Sequence, residues 1–254
     1  MNPREYEALF RTEDRHWWFA ALRREIARAL ERHPAGRAGA RLRWLDAGSG
    51  TGGLLAHLDP RREAMRVGLD ESLDALLLAR QRRLRVTAGS VTSLPFPAES
   101  FDLVTSIDVL CHRNVEKLPA LAEARRCLRG GGILLLQVPA FDWLASEHDR
   151  AVWTDRRFRR REVEALVHEA GLAVRESFYR VGILFPAAAF SRLAKRRQGP
   201  ERDARSQVRP AAPLANLLFG GLLRFEAAAS AAGLRFPFGL SVFCVAQKPL
   251  TASG

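Results

Sequence analysis

The passage that most constrains this chain is Leu42-Arg43-Trp44-Leu45 running into Asp46-Ala47-Gly48-Ser49-Gly50-Thr51-Gly52-Gly53. An apolar run ending in closely spaced glycines reads as a strand delivering a sharp turn, where backbone can approach a ligand with no Cβ in the way. The chain then alternates. Strands are expected at Met65–Leu69, Leu84–Ala88, Phe101–Ile107, Ile133–Val138, Leu172–Tyr179 and Leu240–Ala246. Helices are expected over 4–32, from the glycine turn to Leu58, near 72–82, near 115–128 (capped by Gly130-Gly131-Gly132) and near 160–170, ending at Gly171. Ile133–Val138 is continuously apolar, as a strand covered on both faces must be. Such alternation predicts an α/β fold, a Rossmann-like doubly wound sheet of seven strands, mostly parallel, with ligands outside the carboxyl ends of the strands.

At 254 residues the chain suits one large domain with additions. The expected division is an N-terminal helical lid over 1–39, a cofactor-binding core over 40–180, a helical insertion over 181–238, and a last strand and tail over 239–254. Three cysteines without a CxxC pair make a disulfide framework or a metal site unexpected. A charged N-terminus without an apolar core, and no run of ~18 apolar residues, predict a cytoplasmic chain without a membrane span. The net charge of +12 rests almost wholly on arginine, with lysine only at 117, 195 and 248. No nucleic-acid-binding motif accompanies it, so no nucleic-acid partner is expected.

The acids at the loop separate two readings. Gly48, Gly50 and Gly53 satisfy the GxGxxG pattern of dinucleotide sites. Yet Asp46, two residues before the first glycine, would repel a pyrophosphate and attract an ammonium group, such as that of S-adenosylmethionine. Asp70 closes the second strand, where an acid can accept hydrogen bonds from ribose hydroxyls. A nicotinamide-dependent oxidoreductase is the alternative enzyme; Asp46 and the lack of a Tyr-x-x-x-Lys pair argue against it. A catalytically silent cofactor-binding module is the alternative outside enzymes.

Asp46-Ala47-Gly48-Ser49-Gly50-Thr51-Gly52, Val67-Gly68-Leu69-Asp70, the stretch from Ala88 through Leu94-Pro95-Phe96 to Phe101-Asp102, and Leu128-Arg129-Gly130-Gly131 together resemble the class I S-adenosylmethionine-dependent methyltransferases of small-molecule type (a type 11-like group). The resemblance covers about residues 40–180. It implies S-adenosyl-L-methionine as cofactor, held by Asp46, Gly48, Ser49, Gly50, Asp70, Glu71, Ser90, Val91 and Asp108, and a last strand antiparallel to the others. Ser90 stands where the family often carries an acid against the adenine amino group, so adenine is expected on Ser90 and the Val91 backbone. Glu13-Asp14-Arg15-His16-Trp17-Trp18-Phe19, Trp143 through His148-Asp149, and Arg156–Arg160 resemble a bacterial subgroup linked to cell-surface glycan and lipid pathways.

His112, after the fourth strand, is a candidate general base, because imidazole titrates near neutrality. His148 with Asp149 is a second candidate base, the alternative being a loop whose Asp149 pairs with Arg156 or Arg157. His16, Trp17 and Trp18 are expected to dock a helix and to wall the acceptor site; Arg157, in a run with Arg159–Arg161, is a candidate for an anionic acceptor. The acceptor is expected to be a small molecule or lipid-linked, methylated at oxygen. Within 181–238, Val181–Phe190 and Leu214–Phe225 are apolar, and residues 192–209 carry seven basic groups against Glu201 and Asp203. That composition suits either a helical lid or a peripheral contact with an anionic membrane.

Overall fold

The computed structural model describes residues 3–36, 41–57, 63–196 and 211–250. Seven strands form one sheet: β1 Leu42–Ala47, β2 Glu63–Asp70, β3 Val86–Ala88, β4 Phe101–Ile107, β5 Leu128–Pro139, β6 Ala173–Arg180 and β7 Ser241–Gln247. Their order is β3-β2-β1-β4-β5-β7-β6. β7 runs antiparallel to both β5 and β6, and the other pairings are parallel, so the expected doubly wound sheet is present. The order reverses between β1 and β4, and sheets of this kind hold ligands in the crevice beyond the carboxyl ends at such a point.

The central strands are apolar on both sides because helices cover both. Leu103, Ile133 and Leu135 pack with α2 (Trp17–Arg32) through Leu22, Ile26 and Ala29, and with Leu55 of α3 (Gly53–His57). Val104, Leu134 and Leu136 face the other layer, with Leu121 and Ala124 of α5 (Lys117–Cys127) and Val163 and Val167 of α7 (Arg160–Glu169). Each fully buried Leu, Val or Ile contributes ~1.5–3 kcal/mol of apolar transfer, and this two-sided burial holds β4 and β5 as the rigid floor of the crevice. The remaining helices are α1 (Pro3–Thr12), α4 (Leu73–Gln81), α6 (Glu147–Ala151), α8 (Phe185–Arg196) and α9 (Pro213–Ala231).

Two expectations are corrected. The helix over 4–32 is two helices, broken over residues 13–16, where His16 caps α2 by accepting from Trp18 N–H at 3.2 Å. The triple glycine does not cap α5. That helix passes directly into β5 at Leu128, and Gly131 (φ +79°) bulges the strand beside Lys248, whose carbonyl accepts its N–H. The insertion folds as α8 and α9, with α9 packed on α2; most of its basic segment lies outside the described residues. The helix expected to reach Leu58 is described over Gly53–His57, and residue 58 lies outside the described residues.

Candidate functional site

The glycine loop sits at the switch point between β1 and β4. Gly48 and Gly52 adopt φ of +86° and +79°, and a Cβ at either would lie 2.3 Å from Val109 or 2.4 Å from Leu84. These two glycines let the loop pack down on the sheet, and Gly48 and Ser49 donate N–H bonds to the Leu69 carbonyl at 2.7 and 2.9 Å. Gly50 differs: a Cβ there would meet only Leu9 Cδ2, at 3.9 Å. The loop backbone at Gly50 is thus open to close approach, beside the acid that closes β2.

Asp70 is that acid. Its Oδ2 accepts the Gly50 N–H at 2.8 Å and its Oδ1 the Ser72 N–H at 2.9 Å. Each carboxylate oxygen keeps a further lone pair for a ligand hydroxyl. Burial pushes the Asp70 carboxyl upward, opposed by those two N–H bonds. The neighbouring Glu71 is exposed at the start of the turn into α4.

Asp46 and Ser49 lie elsewhere than expected. Asp46 is 3% exposed, and its Oδ1 accepts the Thr105 hydroxyl at 2.6 Å; Thr105 in turn accepts Trp44 Nε1–H at 2.9 Å. Burial pushes the Asp46 carboxyl up to about 7, against the lowering effect of Thr105 and with added repulsion from Asp70 and Glu13. The carboxyl underpins the loop from the sheet. Ser49 also turns inward: its hydroxyl is buried without a hydrogen bond, against Gly68, where a Cβ would come within 2.6 Å of it.

A set of residues not foreseen as site components clips α1 across this loop. Glu13 is wedged against Gly53, where a Cβ would lie 2.2 Å from its carboxyl, and it accepts the Thr51 hydroxyl. Arg82 binds Glu13 at 3.0 Å, Asp14 at 2.9 Å and the Thr51 carbonyl at 3.1 Å, and stands 4.4 Å over the Phe10 ring. His57 reaches Asp14 at 2.9 Å. Tyr6 is buried within the fields of Asp70, Asp74 and Glu71; burial first, then those charges, pushes its phenol up to about 12. The only advance signal was the Glu13-Asp14 pair, which says nothing of a partner in another layer.

At the turn after β3, where adenine is expected, Val91 is buried and Ser90 Oγ contacts Thr92 Oγ1 at 2.9 Å. His112 is half-buried after β4, with Nδ1 3.4 Å from the Trp153 carbonyl. That carbonyl can only accept, so it favours the proton on Nδ1 and leaves Nε2 as the free acceptor. Burial lowers the His112 imidazole below its ordinary value. Asp108 closes β4 with φ +55°; Gln137 Nε2 donates to its Oδ2 at 3.0 Å while Oδ1 is buried without a partner, and burial raises its carboxyl to about 6. Arg180, at the end of β6, donates to Gln137 Oε1, joining β4, β5 and β6 at the crevice.

The outer candidates are reassigned. Arg157 is not open to an acceptor: it is 7% exposed and binds both oxygens of Asp149, Nε at 2.8 Å and Nη2 at 3.0 Å, with Nη1 on the Ala140 carbonyl. Asp149 is spent on this pair and on Ser146, so it does not orient His148. His148 belongs to α6, and its side chain lies outside the described residues. His16, Trp17 and Trp18 form a helix joint: Trp17 N–H donates to Asn216 Oδ1 at 2.7 Å, and its ring lies 5.2 Å from Phe219 of α9 and 5.7 Å from Trp18.

Residues 45–136 match the family described as a methyltransferase domain. The chain is 35% identical over 117 residues to the ubiquinone/menaquinone biosynthesis C-methyltransferase of Paracoccus denitrificans, across 39% of this chain and 46% of that protein. It is 28% identical over 166 residues to a probable S-adenosylmethionine-dependent methyltransferase of Mycolicibacterium smegmatis, across 64% of this chain and 63% of that one. The matching part thus spans between about half and under two thirds of these relatives. A putative sarcosine dimethylglycine methyltransferase from Galdieria sulphuraria shares the fold, with a TM-score of 0.60 at 18% identity, over 91% of this chain and 86% of that one.

Proposed function

We propose that this chain, whose core is a class I S-adenosylmethionine-dependent methyltransferase domain with S-adenosylmethionine as its cofactor, methylates an oxygen of a hydroxylated small-molecule or lipid-linked acceptor. The observation that carries this reading is the open backbone at Gly50 beside Asp70, at the switch point and under α1. A Cβ-free approach beside an acid with spare lone pairs fits a nucleoside's ribose. The Asp46–Thr105 bond fixes the loop from below.

When bound, the cofactor supplies an electrophilic methyl group with a neutral thioether as leaving group. The chain's own residues then have to bind, align and deprotonate the acceptor. Alignment alone is worth up to ~7–11 kcal/mol. His112, neutral and with Nε2 free, can accept the hydroxyl proton. The hollow between α2, the end of β6 and α9, lined by Arg180, Phe178, Leu223 and Phe236, has a volume of about 30 Å³, room for a water molecule and not for an acceptor body, so the acceptor is assigned to the His112 side. A second reading is methylation of a ring carbon conjugated to such a hydroxyl, since one relative is described as a quinone-pathway C-methyltransferase. The same deprotonation would activate either atom.

The test has two stages. Calorimetry of the full chain with S-adenosylhomocysteine and with NAD should show binding of the first alone. Tracing a labelled methyl group into cell extracts, with catalytically impaired His112→Asn as control, should then give a labelled product whose linkage identifies oxygen or carbon. Cofactor binding without any labelled product would mean a silent binding module and refute the proposed transfer.

A further inference from the structure

The face of α9 turned away from the protein is unlike an ordinary solvent face. Gly220 and Leu223 are buried on the side facing α2. On the opposite side stand Leu214, Leu217, Leu218, Leu222 and Phe225, exposed by 67%, 69%, 56%, 39% and 67%. Their spacing of three and four residues makes a continuous stripe along the helix. A monomer in water rarely presents such a row of large apolar side chains without a partner.

Beside the stripe lies uncompensated positive charge. Arg224 flanks it on α9, and Arg24 and Arg28 stand on the adjoining face of α2, close enough that both Arg28 and Arg224 help to push the Arg24 guanidinium below its ordinary value, after burial. Among the described residues no carboxylate pairs with these three, and Arg28 Nη1 is buried without a hydrogen-bond partner. Several arginines elsewhere are paired: Arg32 with Glu25 and Glu176, Arg82 with Glu13, Arg157 with Asp149. Among the described residues no helix is long and apolar enough to cross a bilayer. An apolar stripe with a basic margin, too short to span, is the composition of a helix lying in a membrane interface.

We propose that α9 seats this protein on an anionic lipid bilayer, its stripe among the acyl chains and Arg24, Arg28 and Arg224 on lipid phosphates. A polyanion such as nucleic acid would account for the arginines and leave the stripe in water. A second copy of this chain would bury the stripe and bring two sets of unpaired arginines together. The bilayer satisfies both features at once.

The test is co-sedimentation of the full chain with phosphatidylcholine vesicles, with and without phosphatidylglycerol, at low and high salt. Binding is expected only with phosphatidylglycerol at low salt. Arg24→Gln with Arg224→Gln removes two charges and should weaken it by about 20- to 30-fold. Leu217→Glu with Phe225→Glu should weaken it by at least about a hundredfold, since each side chain would lose its transfer into an apolar phase. Leu217, Phe225 and Arg224 are exposed and Arg24 is half-buried with no carboxylate partner among the described residues, so the variants' melting temperature and S-adenosylhomocysteine affinity should match the parent. Those controls separate this proposal from the cofactor reading, which can fail or stand independently. No sedimentation with anionic vesicles at low salt would overturn it. So would binding indifferent to the Leu217/Phe225 variant, which marks a plain polyanion site, or a stripe-dependent dimer in light scattering with no vesicle binding.

Discussion

Replacing Asp149 with alanine would test whether Arg157 is part of the frame rather than a substrate contact. The Asp149 carboxylate accepts four bonds: Arg157 Nε at 2.8 Å, Arg157 Nη2 at 3.0 Å, and the Ser146 N–H and hydroxyl at 2.7 and 2.8 Å. The two ion-pair side chains are 8% and 7% exposed, so solvent cannot replace the lost partner. Asp149→Ala leaves a buried guanidinium with only the Ala140 carbonyl as acceptor, at 3.1 Å. Removing one member of a buried pair costs ~3–5 kcal/mol, because the surviving charge is stranded. In a chain of this size each kcal/mol moves the melting temperature by about 2–4 °C, so the expected drop is roughly 6–20 °C. Calorimetric melting of the parent, Asp149→Ala and the double variant Asp149→Leu/Arg157→Met would measure it. The double variant should recover much of the loss, since the Arg157 charge is gone and Arg192, 3.7 Å from Asp149 in the parent, still donates to the Leu144 carbonyl. S-adenosylhomocysteine affinity well below the melting range should be unchanged. A melting temperature within a degree or two of the parent for Asp149→Ala would refute the reasoning and return Arg157 to the acceptor candidates.

Asp70→Ala should weaken S-adenosylhomocysteine binding by about tenfold or more, the loss of charge-assisted hydrogen bonds worth ~1.5–3 kcal/mol; an unchanged calorimetric affinity would remove Asp70 from the cofactor site. Asp46 has a folded-state pKa raised to about 7, so the folded protein binds a proton more tightly than the unfolded chain, and its contribution falls as pH rises from about 4 to 7. Asp46→Asn should therefore gain stability relative to the parent across that window and hold a constant difference above it, as read by denaturant melts at successive pH values. His112→Asn should lower turnover ~10²–10⁴-fold with cofactor binding kept. The parent's rate should rise with pH through a midpoint below the ordinary imidazole value, since burial lowers His112. A flat profile and near-parental turnover would leave alignment as the source of catalysis.

Much of the framework was legible in residue order. The apolar runs at 101–107 and 133–138, the glycines at 48–53 and the acid at 70 specify strand, turn and ligand edge through local rules: side-chain period, backbone freedom and strand-end chemistry. These rules act over a few residues, so a linear reading can apply them. The loop edge of the sheet followed from them, with Gly50 set beside Asp70. What failed was the destination of polar side chains. Asp46 looked like an open charge and is buried on Thr105, a residue of the neighbouring strand β4. Arg157 read both as part of a solvated basic run and as a partner for Asp149, and it is the pairing, with Asp149 eight residues earlier, that forms. Glu13 gave no hint that it would press on Gly53. A side chain's partner is set by how elements approach one another, and residue identity does not contain that distance.

The sequence by itself determined which elements form and where the ligand edge of the sheet must lie, because hydrophobic period and glycine placement act within each segment. The tertiary structure alone decided which charges are spent inside and which remain outside. The same holds for α9: its sequence is apolar on nearly every face, and only its seat on α2 shows that Leu223 is covered while Leu217 and Phe225 are left to water. Burial is a property of pairs of surfaces, and the second surface comes from a segment about 200 residues away in the chain, as the bond between Trp17 and Asn216 across 199 residues shows.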